Sequence, residues 1–289
     1  MPETSPFKWS EVSGTLLLTL HARAFESVTK DPVLTDPKAV EIVRSLQPEL
    51  RDSPVSIHQR LARGELPGKL PVTMSLRARS FDRLTTSWLA EHPGGAVVSL
   101  GCGLDSRFER IDDGKASWFE LDLPEVIEVR RRFYAEGPRR RFLGQSALEP
   151  AWMRELAAFK GKPILVLAEG LFMYLDEASL KPLVAALRRE FPGSTLVCEL
   201  ANRWIVERMD RWWLRRKFER QLGMGGAGFR FGVRDARELE AWADGVRLEK
   251  EWSYFDEKEP KLGWFRWFSA LELIRKIQWT AVYRLGEVP

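Results

Sequence analysis

A doubly wound α/β sheet is the fold class this sequence predicts, on three observations. Four short apolar runs, Ala96–Leu100, Ser117–Leu121, Pro163–Ala168 and Thr195–Leu200, have the near-continuous hydrophobicity of strands buried on both faces. Amphipathic stretches of helical length, Pro124–Tyr134, Trp152–Phe159 and Ser179–Phe191, separate or flank them, and such alternation implies a parallel sheet covered by helices. The first run exits into a glycine turn, Gly101-Cys102-Gly103, and the second ends in an acid, Asp122.

Before the sheet, residues 1–92 read as a helical cap. Leu16, Leu17, Leu18, Leu20, Ala24 and Phe25 form one apolar face. Asp36-Pro37 has the form of a helix start, with Asp36 as N-cap and Pro37 in the first helical position. Gly64 to Pro71 reads as a loop, and a helix from about Met74 to Ala90 leads to the turn His92-Pro93-Gly94-Gly95. The core spans 93–200. From 201 to 262 the alternation breaks, and Trp204, Trp212, Trp213 and Phe218 sit in a basic stretch that ends at Gly223-Met224-Gly225-Gly226. This stretch reads equally as a lid over a substrate pocket, hinged at its glycines, or as a homodimer interface. Residues 263–289, with Trp264, Phe265, Trp267 and Phe268, read as a closing helix and a last strand over Gln278–Leu285. The whole is expected to be one domain.

Bulk composition narrows the function classes. The chain has 289 residues, 44% of them hydrophobic and 30% charged, as in ordinary soluble domains. An excess of 45 basic over 41 acidic residues gives a net charge of +4, without the concentrated patch that nucleic-acid binding needs. The runs Arg130–Arg132, Arg139–Arg141 and Arg211–Lys217 read as solvated faces. Two cysteines, Cys102 and Cys198, make no disulfide framework, and no apolar run reaches the ~18 residues of a membrane span. A cytoplasmic protein, without nucleic-acid or membrane partners, is expected. The three histidines carry no metal spacing, and neither a Ser/His/Asp order nor a P-loop is found.

Chemistry concentrates at the strand exits, where doubly wound sheets bind ligands. Glycines let backbone N–H groups approach a ligand closely, and an acid at the end of the next strand can accept from both ribose hydroxyls. Asp122 follows Gly103 by 19 residues, close to the ~20 of a nucleotide-binding βαβ unit. Glu120 also points to that region, but Asp122 ends the apolar run and is preferred. Leu104, Asp105 and Ser106 stand where a dinucleotide fingerprint has its third glycine. A cofactor with ribose and no phosphates, such as S-adenosylmethionine, therefore fits better than a dinucleotide. In Ala168-Glu169-Gly170, a carboxylate directly after a buried strand requires a ligand or a basic partner. Glu169 is placed at the ammonium end of such a cofactor or at the acceptor, and Tyr174 beside it lines the pocket or packs. Taken alone, Arg77-Ala78-Arg79 reads as an exposed helix face paired to acids.

Together these segments resemble the leucine carboxyl methyltransferase superfamily, most closely its bacterial small-molecule branch of the tetracenomycin polyketide O-methyltransferase type. The likeness runs through Thr19–Ser27 with Asp36-Pro37-Lys38-Ala39, Arg77–Asp82, Leu100–Phe108 and Glu120–Pro124. It continues through Ser146-Ala147-Leu148-Glu149 before Trp152, Ala168–Gly170 and Phe229-Arg230-Phe231-Gly232. The resemblance implies a Rossmann-like, seven-stranded sheet with an antiparallel last strand and a dependence on S-adenosylmethionine. It implies that Arg77 grips the cofactor carboxylate and that Gly101, Cys102 and Gly103 line its methionine half. Asp122, followed by Leu123, would bind the ribose, Ser146, Ala147 and Leu148 would flank the adenine, and Glu169 would close the site by the amino group. Serine at 146, where the leucine carboxyl branch often has aspartate, fits a small-molecule acceptor. No strong base is evident apart from His21, which favours a carboxylate or acidic phenol as acceptor, and the aromatic 201–262 stretch suits a flat or apolar one. Two rival readings are a nucleotide-dependent oxidoreductase and a catalytically silent binding protein on the same fold.

Overall fold

The apolar runs become neighbours in a seven-stranded sheet of order β3-β2-β1-β4-β5-β7-β6. The strands are β1 Ala96–Leu100, β2 Ser117–Asp122, β3 Arg140–Gly144, β4 Ile164–Ala168, β5 Ser194–Ala201, β6 Val246–Trp252 and β7 Gln278–Leu285. The computed structural model describes residues 11–209, 228–264 and 275–286. β1 to β5 run parallel, and β7 is antiparallel to both β5 and β6. The seven strands and the reversed last one agree with the resemblance. Two of the seven, β3 and β6, were not expected from the sequence, and β6 falls within the stretch read as a lid. Strand order reverses between β1 and β4, which opens a crevice at their carboxyl ends.

Alternation along the strands gives each sheet face its own layer. Val98, Phe119, Val166, Leu196 and Cys198 pack with Trp152, Met153, Leu180 and Leu187 on one face. Val97, Leu165, Leu167 and Val197 pack on the other with Phe81, Trp88 and Leu89 of helix α4 (Leu70–Glu91). The segment expected as a helix over 152–159 is a 3-10 helix, Pro150–Phe159.

The N-terminal helices α1 (Glu11–Ser27), α2 (Pro37–Arg51) and α3 (Ser56–Ala62) close over the glycine-turn end of the sheet. Leu17, Leu18 and Leu20 pack with Ile42, Leu46 and Leu50 of α2 and with Cys102 and Leu104 of the turn. Phe25 departs from the expected apolar face and is half exposed. Asp36 caps α2, accepting from the Ala39 N–H at 3.0 Å, with Pro37 directly behind it. The loop over 64–71 is shorter than read, because α4 already begins at Leu70.

Two of the arginine runs are not solvated faces. Arg130 and Arg140 are buried around Glu120, with Arg130 Nη2 donating to Oε1 at 2.5 Å and Arg140 Nε to Oε2 at 2.7 Å. Arg131, Arg132 and Arg141 are the exposed members. The run Arg211–Lys217, the residues Trp212, Trp213 and Phe218, the glycines 223–226, and Phe265, Trp267 and Phe268 lie outside the described residues. Trp204 is within them, on the short helix Arg203–Met209, with the Arg208 guanidinium 3.6 Å over its ring. Among the described residues no helix is long and apolar enough to cross a membrane, and no cluster of metal-binding side chains occurs. Both cysteines are free and buried.

Asp36 does more than cap a helix. Fully buried, it accepts from Arg23 Nε at 3.0 Å, Arg110 Nη1 at 2.9 Å and the Ser106 hydroxyl at 2.6 Å. Burial works to raise its pKa, but Arg23 and Arg110 outweigh it and hold the carboxylate below its ordinary range. Asp36→Ala leaves two buried guanidiniums short of a partner, so a loss of about 3–5 kcal/mol is expected in denaturant unfolding. Because the folded-state pKa is the lower one, this contribution is present above about pH 4 and is lost as pH falls through the folded value. The stability of Asp36→Ala and of the unaltered chain should therefore converge in acid.

Candidate active site

The residues read from the sequence as cofactor-binding, and Tyr174 with them, reach one cavity of about 510 Å³ at the crevice between β1 and β4. Arg77, Gly101, Cys102, Gly103, Asp122, Leu123, Ser146, Ala147, Leu148, Glu169 and Tyr174 all line it. Three strand ends supply most of them: β1 leads into the glycine turn, β2 ends in Asp122 and β4 leads into Glu169. The segment after β3 supplies Ser146, Ala147 and Leu148, and helices add Thr15, Leu16, Thr19 and Arg23 from α1 and Arg77 from α4.

The glycine turn needs its glycines. Gly101 has φ 67° and Gly103 φ 49°, a left-handed conformation that costs L-residues about 1–2 kcal/mol. A Cβ on Gly103 would also stand 3.3 Å from Leu16 Cδ1. In this conformation the Gly103 N–H donates to Asp122 Oδ2 at 2.7 Å, while the Leu123 N–H donates to Oδ1 at 2.8 Å. One backbone donor on each oxygen fixes the carboxylate plane and leaves lone pairs on both oxygens. Burial raises the Asp122 pKa, against the lowering effect of these two bonds. Glu120, the alternative acid, is taken up by Arg130 and Arg140 and does not line the cavity.

Glu169 has basic partners, two of them. Arg77 Nε donates to Oε1 at 2.7 Å and Arg107 Nη2 to Oε2 at 2.6 Å. Burial works to raise its pKa, but the two guanidiniums prevail and hold it below the ordinary carboxylate range. Arg107 also pairs with Asp82 at 2.8 Å and Asp105 at 2.7 Å. Arg77 is thus paired to acids, as its sequence context suggested, but it is buried rather than exposed.

Tyr174 meets Phe229 edge to face, with ring centroids 5.4 Å apart, and burial raises its pKa. His21 is buried in the helical cap, where Nδ1 donates to the Leu17 carbonyl at 2.8 Å. Desolvation pushes it down to about 4, and it does not line the cavity. Its reading as a base falls away. Sequence reasoning missed Arg107, Gln145 and Glu199. Arg107 follows the glycine turn as one arginine among 45 basic residues, and Glu199 is hidden inside an apolar strand.

A sheet of this order, with a glycine turn on β1 and an acid closing β2, is the frame of an S-adenosylmethionine-dependent methyltransferase. The chain belongs to the leucine carboxyl methyltransferase family, whose model matches residues 17–188. It is 32% identical over 246 residues to the tetracenomycin polyketide synthesis O-methyltransferase TcmP of Streptomyces glaucescens, covering 85% of this chain and 84% of that one. It is 28% identical over 274 residues to an S-adenosyl-L-methionine-dependent methyltransferase of Gibberella zeae, covering 92% and 89%. A SAM-dependent methyltransferase structure from Anabaena variabilis aligns over 72% of this chain and 84% of that one, at 15% identity and a TM-score of 0.49.

The residues present fit this cofactor. Asp122 keeps lone pairs for two hydroxyls, and Gln145 Oε1, on the cavity lining, is buried with no hydrogen-bond partner among the described residues. A donor from a bound ligand would satisfy it. Gly103→Ala should lower stability by about 1–2 kcal/mol. The same variant should weaken S-adenosylhomocysteine binding, measured by calorimetry, because the new Cβ moves either Leu16 or the N–H that orients Asp122.

Proposed function

We propose that the chain transfers a methyl group from S-adenosylmethionine to an already ionised oxygen of a small, apolar or aromatic acceptor, a carboxylate or an acidic phenol. One observation carries this reading: among the described residues of the cavity, no side chain other than Asp122, which this reading gives to the ribose hydroxyls, is arranged to remove a proton near neutral pH. Both Glu169 oxygens are committed to arginines and its pKa is lowered. Burial raises the Tyr174 hydroxyl and pushes the Cys102 thiol well up. Asp105 is held low by Arg107 and Arg110 against its burial. An acceptor that arrives ionised needs none of these groups as a base. The O-methyltransferase name of the Streptomyces relative supports oxygen as the methylated atom.

The cofactor supplies an electrophilic sulfonium methyl when bound, so the chain's own work is orientation and exclusion of water. Asp122 takes the ribose hydroxyls, and Leu123, Ser146, Ala147 and Leu148 flank the adenine. Gly101, Cys102 and Gly103 line the methionine half, Arg77 takes its carboxylate and Glu169 faces its ammonium. Glu169 therefore acts through charge. Tyr174 borders the acceptor end. Arg230 lines the same cavity, with its guanidinium largely exposed beside Asp176 at 3.6 Å, and gives an anionic acceptor a cation to approach.

Four outcomes test this. Asp122→Ala should weaken S-adenosylhomocysteine binding roughly 10- to 100-fold in calorimetry, the range of a hydrogen bond to a charged group. In the unaltered chain the same affinity should fall as pH drops through the raised Asp122 value, because the hydroxyls need its ionised form. With a carboxylate acceptor, kcat should stay flat from about pH 6 to 8; a neutral-range inflection would reveal a base and overturn the reading. Arg230→Ala should raise the acceptor KM roughly 3- to 5-fold, as expected for an exposed charge pair, with kcat little changed.

A further inference from the structure

Two carboxylates hold the Arg77 guanidinium. Beyond the Nε bond to Glu169, its Nη1 donates to Glu199 Oε2 at 3.2 Å. Glu199 lies inside β5 and is fully buried. Strand alternation puts it on the face of Val197, which packs in the same cluster as Phe81 of α4, one helical turn beyond Arg77. Glu199 Oε1 accepts from the Tyr254 hydroxyl, and the Gly170 backbone N–H also donates to this carboxylate.

Tyr254 belongs to a short 3-10 turn, Tyr254–Glu257, that is fastened to α4 from outside. Arg79 Nη2 donates to Glu257 Oε2 at 2.7 Å and Arg83 Nη1 to Oε1 at 2.6 Å. Arg77, Arg79 and Arg83 thus reach acids on β5 and on this turn from a single helix. Arg77 Nη2 has no hydrogen-bond partner among the described residues. Gly170 lies directly under the guanidinium, where a Cβ would stand 3.4 Å from Nη1 and 3.6 Å from Nη2. Arg77 and Glu169 line the cavity, while Glu199 and Tyr254 stand behind them. A buried carboxylate is expensive, and packing alone is served better by an apolar side chain.

We propose that Glu199 and Tyr254 form a positioning pair that fixes the rotation of the Arg77 guanidinium, so that its Nη2 edge meets the carboxylate of the cofactor's amino-acid half. Glu199 takes the Nη1 edge and Glu169 the Nε edge, which leaves one edge of the fork for the ligand. Tyr254 keeps Glu199 in place by donating to its second oxygen. Neither residue touches the cofactor. The inference rests on the reading of Arg77 as the carboxylate partner.

The test compares two ligands by calorimetry. S-adenosylhomocysteine carries the amino-acid half, and 5′-methylthioadenosine keeps the adenosine and sulfur but lacks it. Glu199→Gln should weaken S-adenosylhomocysteine roughly tenfold and leave methylthioadenosine within about twofold. Tyr254→Phe, which keeps the ring, should shift the same ratio in the same direction by roughly threefold, and it carries the test should Glu199→Gln not fold. Equal weakening of both ligands, or an unchanged ratio in both variants, would mean that the pair serves packing alone and would overturn the proposal. Arg77→Ala separates the two levels of the argument. If it leaves the ratio unchanged, Arg77 is not the carboxylate partner, and the positioning role falls with that reading.

Discussion

Buried ion pairs between α4 and the segment after the glycine turn are the constraint on which the cavity depends. Asp82 on α4 accepts from both Arg107 and Arg110. Arg110 reaches on to Asp36 under the helical cap, and Arg107 reaches Glu169 at the end of β4. Glu169 passes the connection to Arg77, and Arg77 to Glu199 in β5. The line of charge thus runs from the entry to α2, across the mouth of β1 and β4, to the fifth strand. Such a network adds little net stability over an apolar interior, because each ion has first been taken out of water. Its effect is selective: an arrangement that leaves one member unpaired is penalised heavily, so the elements bearing these residues meet in one way.

A second buried cluster fixes the glycine turn itself. Arg130 Nη1 donates to the Gly103 carbonyl at 2.8 Å and Nη2 to the Asp105 carbonyl at 2.9 Å, while the same guanidinium pairs with Glu120. Asp122 holds the turn from its other side, through the Gly103 N–H. A turn gripped from both sides presents its backbone donors in place before any ligand arrives, which reduces the ordering left for binding. Fold and site therefore share residues here. Glu120 and Asp122, two positions apart on one strand, divide the labour: the inner acid organises arginines and the outer one keeps lone pairs for a ligand.

What was legible in the sequence followed from polarity and spacing. Four apolar runs, the glycine turn with Asp122 nineteen residues on, and the Asp36-Pro37 cap are local patterns, and local physics was enough to place them. β3 was hidden because Arg140 and Arg141 sit within it, and Arg140 reads as surface until its partners, Glu120 and Glu109, are known. β6 was hidden because an edge strand is half solvated: Arg247, Glu249 and Lys250 give it the polarity of a loop. Glu199 had no local signal at all. Its partners stand 122 and 55 positions away, and only the sheet brings them together. The Trp-rich stretch stayed open between lid and interface because aromatic residues serve either equally well.

The placement of β7 between β5 and β6 has a consequence for biosynthesis. β6 leaves the ribosome first, yet among the described residues its strand partner is β7 alone, which β5 also needs on that side. Strands β1 to β5 can pair in order as they emerge, each beside a strand already made. β6 must wait, unpaired, for more than twenty further residues of translation. The nascent sheet therefore has a late step in which one strand enters between two earlier ones, and until then the edge of β5 stays open to wrong partners.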